Sequence, residues 1–262
     1  MNMKIRTVLT ALTTALLLAL GTVAAQTPID DGVLTVAMSG GYPPFSMPAE
    51  DGSMEGFDAD VAAALAEELG VEVEIVQAQF SGIIAGVSTG RFDASVASHA
   101  RTPERAEAVT FLDMPYYYGG GQFFAPADSE YDDYEALLAD GGTIAVDRGG
   151  TNQQWLEDNG YSDNTATYAD VPTSLQAIRS GQADAIFTNP IVGNQAFATS
   201  GMKMKSISGL VFEENAWITI ANGQPGYKRL LELALDELYE NGVLQVISER
   251  WIGGDIVTPP NQ

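Results

Sequence analysis

Residues 98–105, Ser-His-Ala-Arg-Thr-Pro-Glu-Arg, hold the densest polar chemistry in the chain. Thr102 suits a helix N-cap, Pro103 the first helical position, and Glu104 the positive end of the helix dipole. Arg105 then falls on the first helical turn. Free backbone N–H groups beside a guanidinium form a receptor for a carboxylate, which arginine grips with two parallel hydrogen bonds. A lone arginine on a helix is more commonly a solvated surface residue. Here, with only 12 Lys and Arg in 262 residues, its place after a strand marks it as a ligand contact. His99 lies between apolar residues and reads as structural. Asp93 and Asp184 each follow a glycine turn and read as turn caps rather than catalytic carboxylates.

Three aromatics neighbour these polar loops. Phe45 reads as core. Tyr42, after two glycines and before Pro43-Pro44, reads as the wall of a pocket, and Phe80 is either core or wall. Tyr116, Tyr117 and Tyr118 read as packing residues in a connection.

Composition removes several classes of function. The chain has no Cys and one His, which excludes disulfides, thiolate or multi-histidine metal sites, a cysteine nucleophile and a lipid-modified cysteine. A net charge of −23 opposes binding to nucleic acid or an anionic membrane. Nothing calls for a metal or cofactor. At the start, Lys4 and Arg6 precede an apolar run at 8–20 and the small residues Val23, Ala24 and Ala25. That pattern predicts a cleaved export signal over 1–25.

The elements that must position the polar loops alternate between strand and helix. Strands are expected at 33–38, 71–76 and 92–97, and helices at 58–69 and 82–87. This βαβ order predicts an α/β fold with mostly parallel sheets. The second half repeats the first. Thr35-Val36-Ala37-Met38 resembles Thr143-Ile144-Ala145-Val146, an offset of 108, and Gly90-Arg91-Phe92-Asp93-Ala94 resembles Gly181-Gln182-Ala183-Asp184-Ala185, an offset of 91. Two similar lobes follow, with loops of different length. Extended stretches at 111–125 and 216–221 read as two crossing strands, a hinge over a cleft. A final pair of helices is expected at 225–241 and 243–251, the first burying Tyr227, Leu230, Leu231, Ala234, Leu235 and Leu238. The expected division is 32–119 plus 222–258 for lobe 1 and 120–221 for lobe 2.

Ligands of parallel sheets bind beyond the carboxyl ends of the strands. The second offset pairs Ser98 with Asn189, so these two should face each other across the cleft. Thr151 is expected to cap the facing helix, and its hydroxyl is a further candidate contact.

Gly-Tyr-Pro-Pro-Phe at 41–45, Gly-Phe-Asp-Ala-Asp at 56–60, Thr-Pro-Glu-Arg-Ala at 102–106 and Gly-Gly-Thr at 149–151 resemble, in order, the polar amino-acid-binding proteins of bacterial ABC importers. The resemblance runs from about residue 34 to 251. It implies a type II periplasmic-binding fold: two lobes, two hinge strands, and closure on a small ligand for delivery to a membrane permease. With no Cys for a lipid tether, a free periplasmic protein is expected, a monomer and not an enzyme. In the terms of the resemblance Arg105 holds the ligand carboxylate with Ser98 and Thr151, and Tyr42 and Phe80 sandwich the ligand. The family commonly places an aspartate for the ligand ammonium where this chain has Asn189, and a further acid where it has Ser39. The carboxylate grip is kept and the amine grip altered, so an amino acid, a modified amino acid or an amine-poor carboxylate each fit. Two alternatives share the fold. Gly-Gly-Thr-Asn at 149–152 is similar to exported cyclohexadienyl dehydratases, although residues 188–192 lack their acid and Asp147 is the nearest loop carboxylate. A soluble sensory protein would use the same pocket.

Overall fold

The computed structural model describes residues 27–259; the export signal expected over 1–25 lies outside them. In chain order the first part runs β1 (Val33–Met38), β2 (Met47–Pro48), β3 (Met54–Glu55), α1 (Phe57–Leu69), β4 (Glu72–Gln77), α2 (Phe80–Ser88), β5 (Ala94–Ser95), α3 (Pro103–Ala108) and β6 (Val109–Phe111). Then come β7 (Tyr117–Pro126), α4 (Tyr134–Ala139), β8 (Ile144–Asp147), α5 (Thr151–Asp158), β9 (Thr165–Tyr168), α6 (Val171–Arg179), β10 (Ala185–Thr188), α7 (Pro190–Ser200) and β11 (Met204–Ser206). The chain ends with β12 (Phe212–Ala216), β13 (Thr219–Ala221), α8 (Pro225–Glu240) and α9 (Val243–Ile252).

Two sheets form the two lobes. One has the order β4-β1-β5-β13-β6, the other β11-β7-β10-β8-β9. The parallel trio β4-β1-β5 matches β9-β8-β10, and each is extended by an antiparallel strand, β13 in one and β7 in the other. The internal repeat is therefore physical. It extends to the turn caps: Asp93 accepts the Thr35 amide at 2.8 Å, and Asp184 accepts the Thr143 amide at 2.8 Å. Each carboxylate ties the start of the third strand to the start of the first. The helices cover the sheets with apolar faces; α1, for example, buries Phe57, Val61, Ala62 and Leu65 and stops at Gly70 in the left-handed conformation.

Several sequence expectations need correction. The strand expected at 92–97 is only Ala94–Ser95, because the chain leaves the sheet to carry Ser98 and His99 into the cleft region. The stretch at 216–221 is two strands, β12 and β13, each paired with a different sheet. Leu230 is 41% exposed, so the buried face of α8 omits it.

The crossing ribbon is β7 against β12, antiparallel, from Gly121 opposite Phe212 to Tyr117 opposite Ala216. Three consecutive glycines in β7 permit the close approach. A Cβ on Gly120 would lie 2.4 Å from the Phe212 carbonyl oxygen, and one on Gly121 would lie 2.6 Å from Asn152 Oδ1. Among the described residues no helix is long and apolar enough to cross a membrane.

Candidate functional site

A cleft opens between the lobes. From the first lobe it is lined by Ser39, Tyr42, Phe80, Ser98, Ala100 and Arg105; from the second by Asp147, Thr151, Asn152, Asp170 and Glu214. These sit where the carboxyl ends of parallel strands meet helix N-termini, as the topology demands. The lobes touch across it. Gly41 packs against Asp170 so closely that a Cβ there would lie 2.4 Å from the Asp170 Cβ.

Arg105 spans the cleft. Thr102 caps α3 by accepting the Arg105 amide at 3.2 Å. The guanidinium donates from Nη1 to the Ala100 carbonyl and from Nη2 across the cleft to the Gly149 carbonyl, both at 2.9 Å. It lies 5.6 Å from the centre of the Phe80 ring, and Phe80 stacks on His99 at 4.5 Å. Burial pushes the Arg105 pKa down, while the charges of Glu214 and Glu104 oppose that shift. His99 is buried with Nδ1 3.0 Å from Ser95 Oγ. Burial and the Arg105 charge hold it well below the usual histidine range, so it is a neutral packing partner.

Ser98 is held in an uncommon conformation. Its φ is +55°, a left-handed value that serine adopts only when its surroundings enforce it. Its amide donates to Tyr116 Oη at 2.7 Å, and Tyr116 Oη donates to Asp58 Oδ1 at 2.8 Å. Ser98 Oγ donates to Asp58 Oδ2 at 2.9 Å. Burial pushes Asp58 up to about 7 even though the Tyr116 and Ser98 hydrogen bonds draw it down. With its proton directed at Asp58, the Ser98 hydroxyl offers oxygen lone pairs toward the cleft.

Five of the six residues singled out from sequence, Tyr42, Phe80, Ser98, Arg105 and Thr151, line this one cleft. Asn189 does not. It is 5% exposed and caps α7, its Oδ1 accepting the Ile191 amide at 2.9 Å. The strand offset placed its backbone correctly, but Pro190 starts a helix there and the side chain turns to cap it. Thr151 is the first residue of α5 rather than its cap, a position taken by Gly150. Its hydroxyl is therefore free to face Glu214.

The sequence offered Asp147 only as a loop carboxylate for an enzyme, and Asp170 and Glu214 not at all. Burial raises Asp147 to about 7, reinforced by the charge of Asp170. Asp147 Oδ1 is sealed from solvent without a hydrogen-bond partner. Asp170 caps α6 and accepts the Thr173 amide and hydroxyl at 2.8 and 2.6 Å. Burial also raises Glu214, against the opposing pull of the Thr151 hydroxyl and the Arg105 charge. The signal for Asp147 was present: adding the first repeat offset, 108, to Ser39 gives 147.

This is the architecture of a two-lobed type II periplasmic-binding fold, and comparison with known proteins agrees. The sequence profile of bacterial extracellular solute-binding proteins, family 3, matches residues 34–254. The chain belongs to that family. The L-cystine-binding protein TcyJ of Escherichia coli K12 is 28% identical over 226 residues, covering 86% of this chain and 84% of that protein. The cyclohexadienyl dehydratase of Pseudomonas aeruginosa is 30% identical over 165 residues, covering 62% and 61%. A crystal structure of a mutant of ArgBP from T. maritima superposes with a TM-score of 0.80 at 27% identity, covering 87% of this chain and all of that one.

Proposed function

We propose that the protein is an exported periplasmic receptor that closes on an amino acid and presents it to an ABC importer permease, without turning it over. The observation that carries this reading is Arg105. Among the described residues it is the one Lys or Arg in the cleft lining, and its two carbonyl contacts, one in each lobe, hold the guanidinium at the cleft. A ligand carboxylate entering there meets a charged fork rather than water, and the contact to Gly149 ties its arrival to closure. Tyr42 and Phe80 supply apolar walls, and Thr151 adds a hydroxyl from the second lobe. The moving bodies would be 32–119 with 222–258, and 120–221, turning on the β7–β12 ribbon. Export would remove residues 1–25 and leave a periplasmic monomer.

Titration calorimetry with each proteinogenic L-amino acid and with the corresponding decarboxylated amine tests the reading. At least one amino acid binds and its amine fails to. Binding of both alike would remove Arg105 from its role, and binding of neither would end the proposal. The dehydratase reading draws on one observation, a carboxylate, Asp147, in the cleft lining with one oxygen unpartnered; burial raises it to about 7, as suits a general acid. Release of an ultraviolet-absorbing aromatic product from a cyclohexadienyl acid would establish it; we expect none.

A further inference from the structure

The cleft is charged in an unequal way. Its lining brings one cation, Arg105, and three carboxylates, Asp147, Asp170 and Glu214. Their situations differ. Glu214 faces the Thr151 hydroxyl and the Arg105 charge. Asp170 directs one oxygen to its own helix terminus. Asp147 has an oxygen with no partner, and the charged neighbour acting on it is another carboxylate. A buried acceptor left unpaired is costly, and the half-buried Asp170 beside it brings like charge rather than a partner. Among the described residues no group of three His, Asp or Glu side chains is placed to hold a metal ion; inside a cleft read as an amino-acid site, the complement to Asp147 is a cationic group of the ligand itself.

Adding a ligand carboxylate at Arg105 deepens the imbalance. A ligand ammonium close to that carboxylate finds Glu214 and the lone pairs of Ser98. The Asp147–Asp170 pair is still unmatched. Resting on the reading of the cleft as an amino-acid site, we propose that the ligand is a cationic amino acid. Its side-chain ammonium or guanidinium is received by Asp147, with Asp170 adding negative charge behind it.

The repeat gives this assignment a structural sense. Asp147 ends β8 as Ser39 follows β1, and Asp170 caps α6 where Gln79 caps α2. The two strand ends that are uncharged in the first lobe are both acidic in the second. The distal end of the ligand is thus read by the lobe that closes over it.

Calorimetric titration of the purified protein, freed of co-purified ligand, compares L-arginine and L-lysine with L-citrulline, L-glutamine and L-glutamate. L-arginine should bind about 100-fold more tightly than L-citrulline, the order of effect expected when a buried charge loses its partner. Asp147→Asn should weaken L-arginine by about 100-fold. Asp128→Asn, an exposed position remote from the cleft, should leave it unchanged. Melting curves confirm that each variant is folded. Equal binding of L-arginine and L-citrulline overturns this inference and leaves the amino-acid reading standing. Retained selectivity in Asp147→Asn removes Asp147 from the site. Failure of every amino acid removes the amino-acid reading itself.

Discussion

Replacing Asp147 with asparagine should make the ligand-free protein more stable, and more so as the pH rises. The folded protein holds this carboxyl near 7 against an ordinary 3.8. A carboxyl raised on folding destabilises the native state wherever it must ionise. The penalty is absent below about pH 4, grows through the interval, and is complete above about pH 7. The full interval corresponds to about 4 kcal/mol at pH 8 and about 2 kcal/mol at pH 5. Water reaching the cleft screens part of this, so about half is the realistic gain. For a chain of this size that raises the melting temperature by about 5 °C at pH 8 and clearly less at pH 5. The groups facing Asp147 are Asp170 and, across the cleft, Tyr42, and the substitution alters neither. Calorimetric melting of both proteins without ligand at the two pH values is the assay. An unchanged or lowered melting temperature at pH 8 would refute the argument. So would a gain of equal size at both pH values, which would point to packing rather than charge. A gain in stability joined to a loss of binding is the usual mark of a functional site under electrostatic strain.

Two further perturbations test the framework around the cleft. Gly120→Ala brings a Cβ within 2.4 Å of the Phe212 carbonyl oxygen, a backbone atom; it should destabilise by about 1–3 kcal/mol and spread the β7–β12 ribbon, read as a lower melting temperature. Asp58→Ala leaves the Tyr116 and Ser98 hydroxyls without their acceptor. It should cost about 2 kcal/mol or more of stability and weaken ligand binding by freeing Ser98 from its left-handed conformation, whereas unaltered affinity would show that Ser98 is positioned by other means.

Much of this was legible because the repeat is written in residues. The motif 35–38 and its copy at 143–146 gave the two sheets, and the Gly-x-x-Asp-Ala turns gave the caps at Asp93 and Asp184. Arg105 was readable because capping chemistry fixes its turn of helix. What escaped was what depends on side-chain direction. Asn189 lies at the foreseen strand end, yet local capping of α7 turns it from the cleft. Asp58 drew no reading of its own from the sequence, because only the fold brings Tyr116 and Ser98 to it from positions 58 and 40 residues away. Asp147 entered only as the nearest loop carboxylate; its burial beside Asp170 arises only when β8 and the start of α6 are assembled. Glu214 sits on a crossing strand whose facing residues come from both lobes.

The most direct test of the central claim is the thermal midpoint of wild-type protein and of Arg105→Ala with each proteinogenic L-amino acid. A ligand at 100 times its dissociation constant adds about 2.7 kcal/mol, a shift of several degrees. The account predicts that at least one amino acid raises the wild-type midpoint and that Arg105→Ala, still folded, shows no such rise. A shift that survives in Arg105→Ala, or none in the wild type, would contradict it.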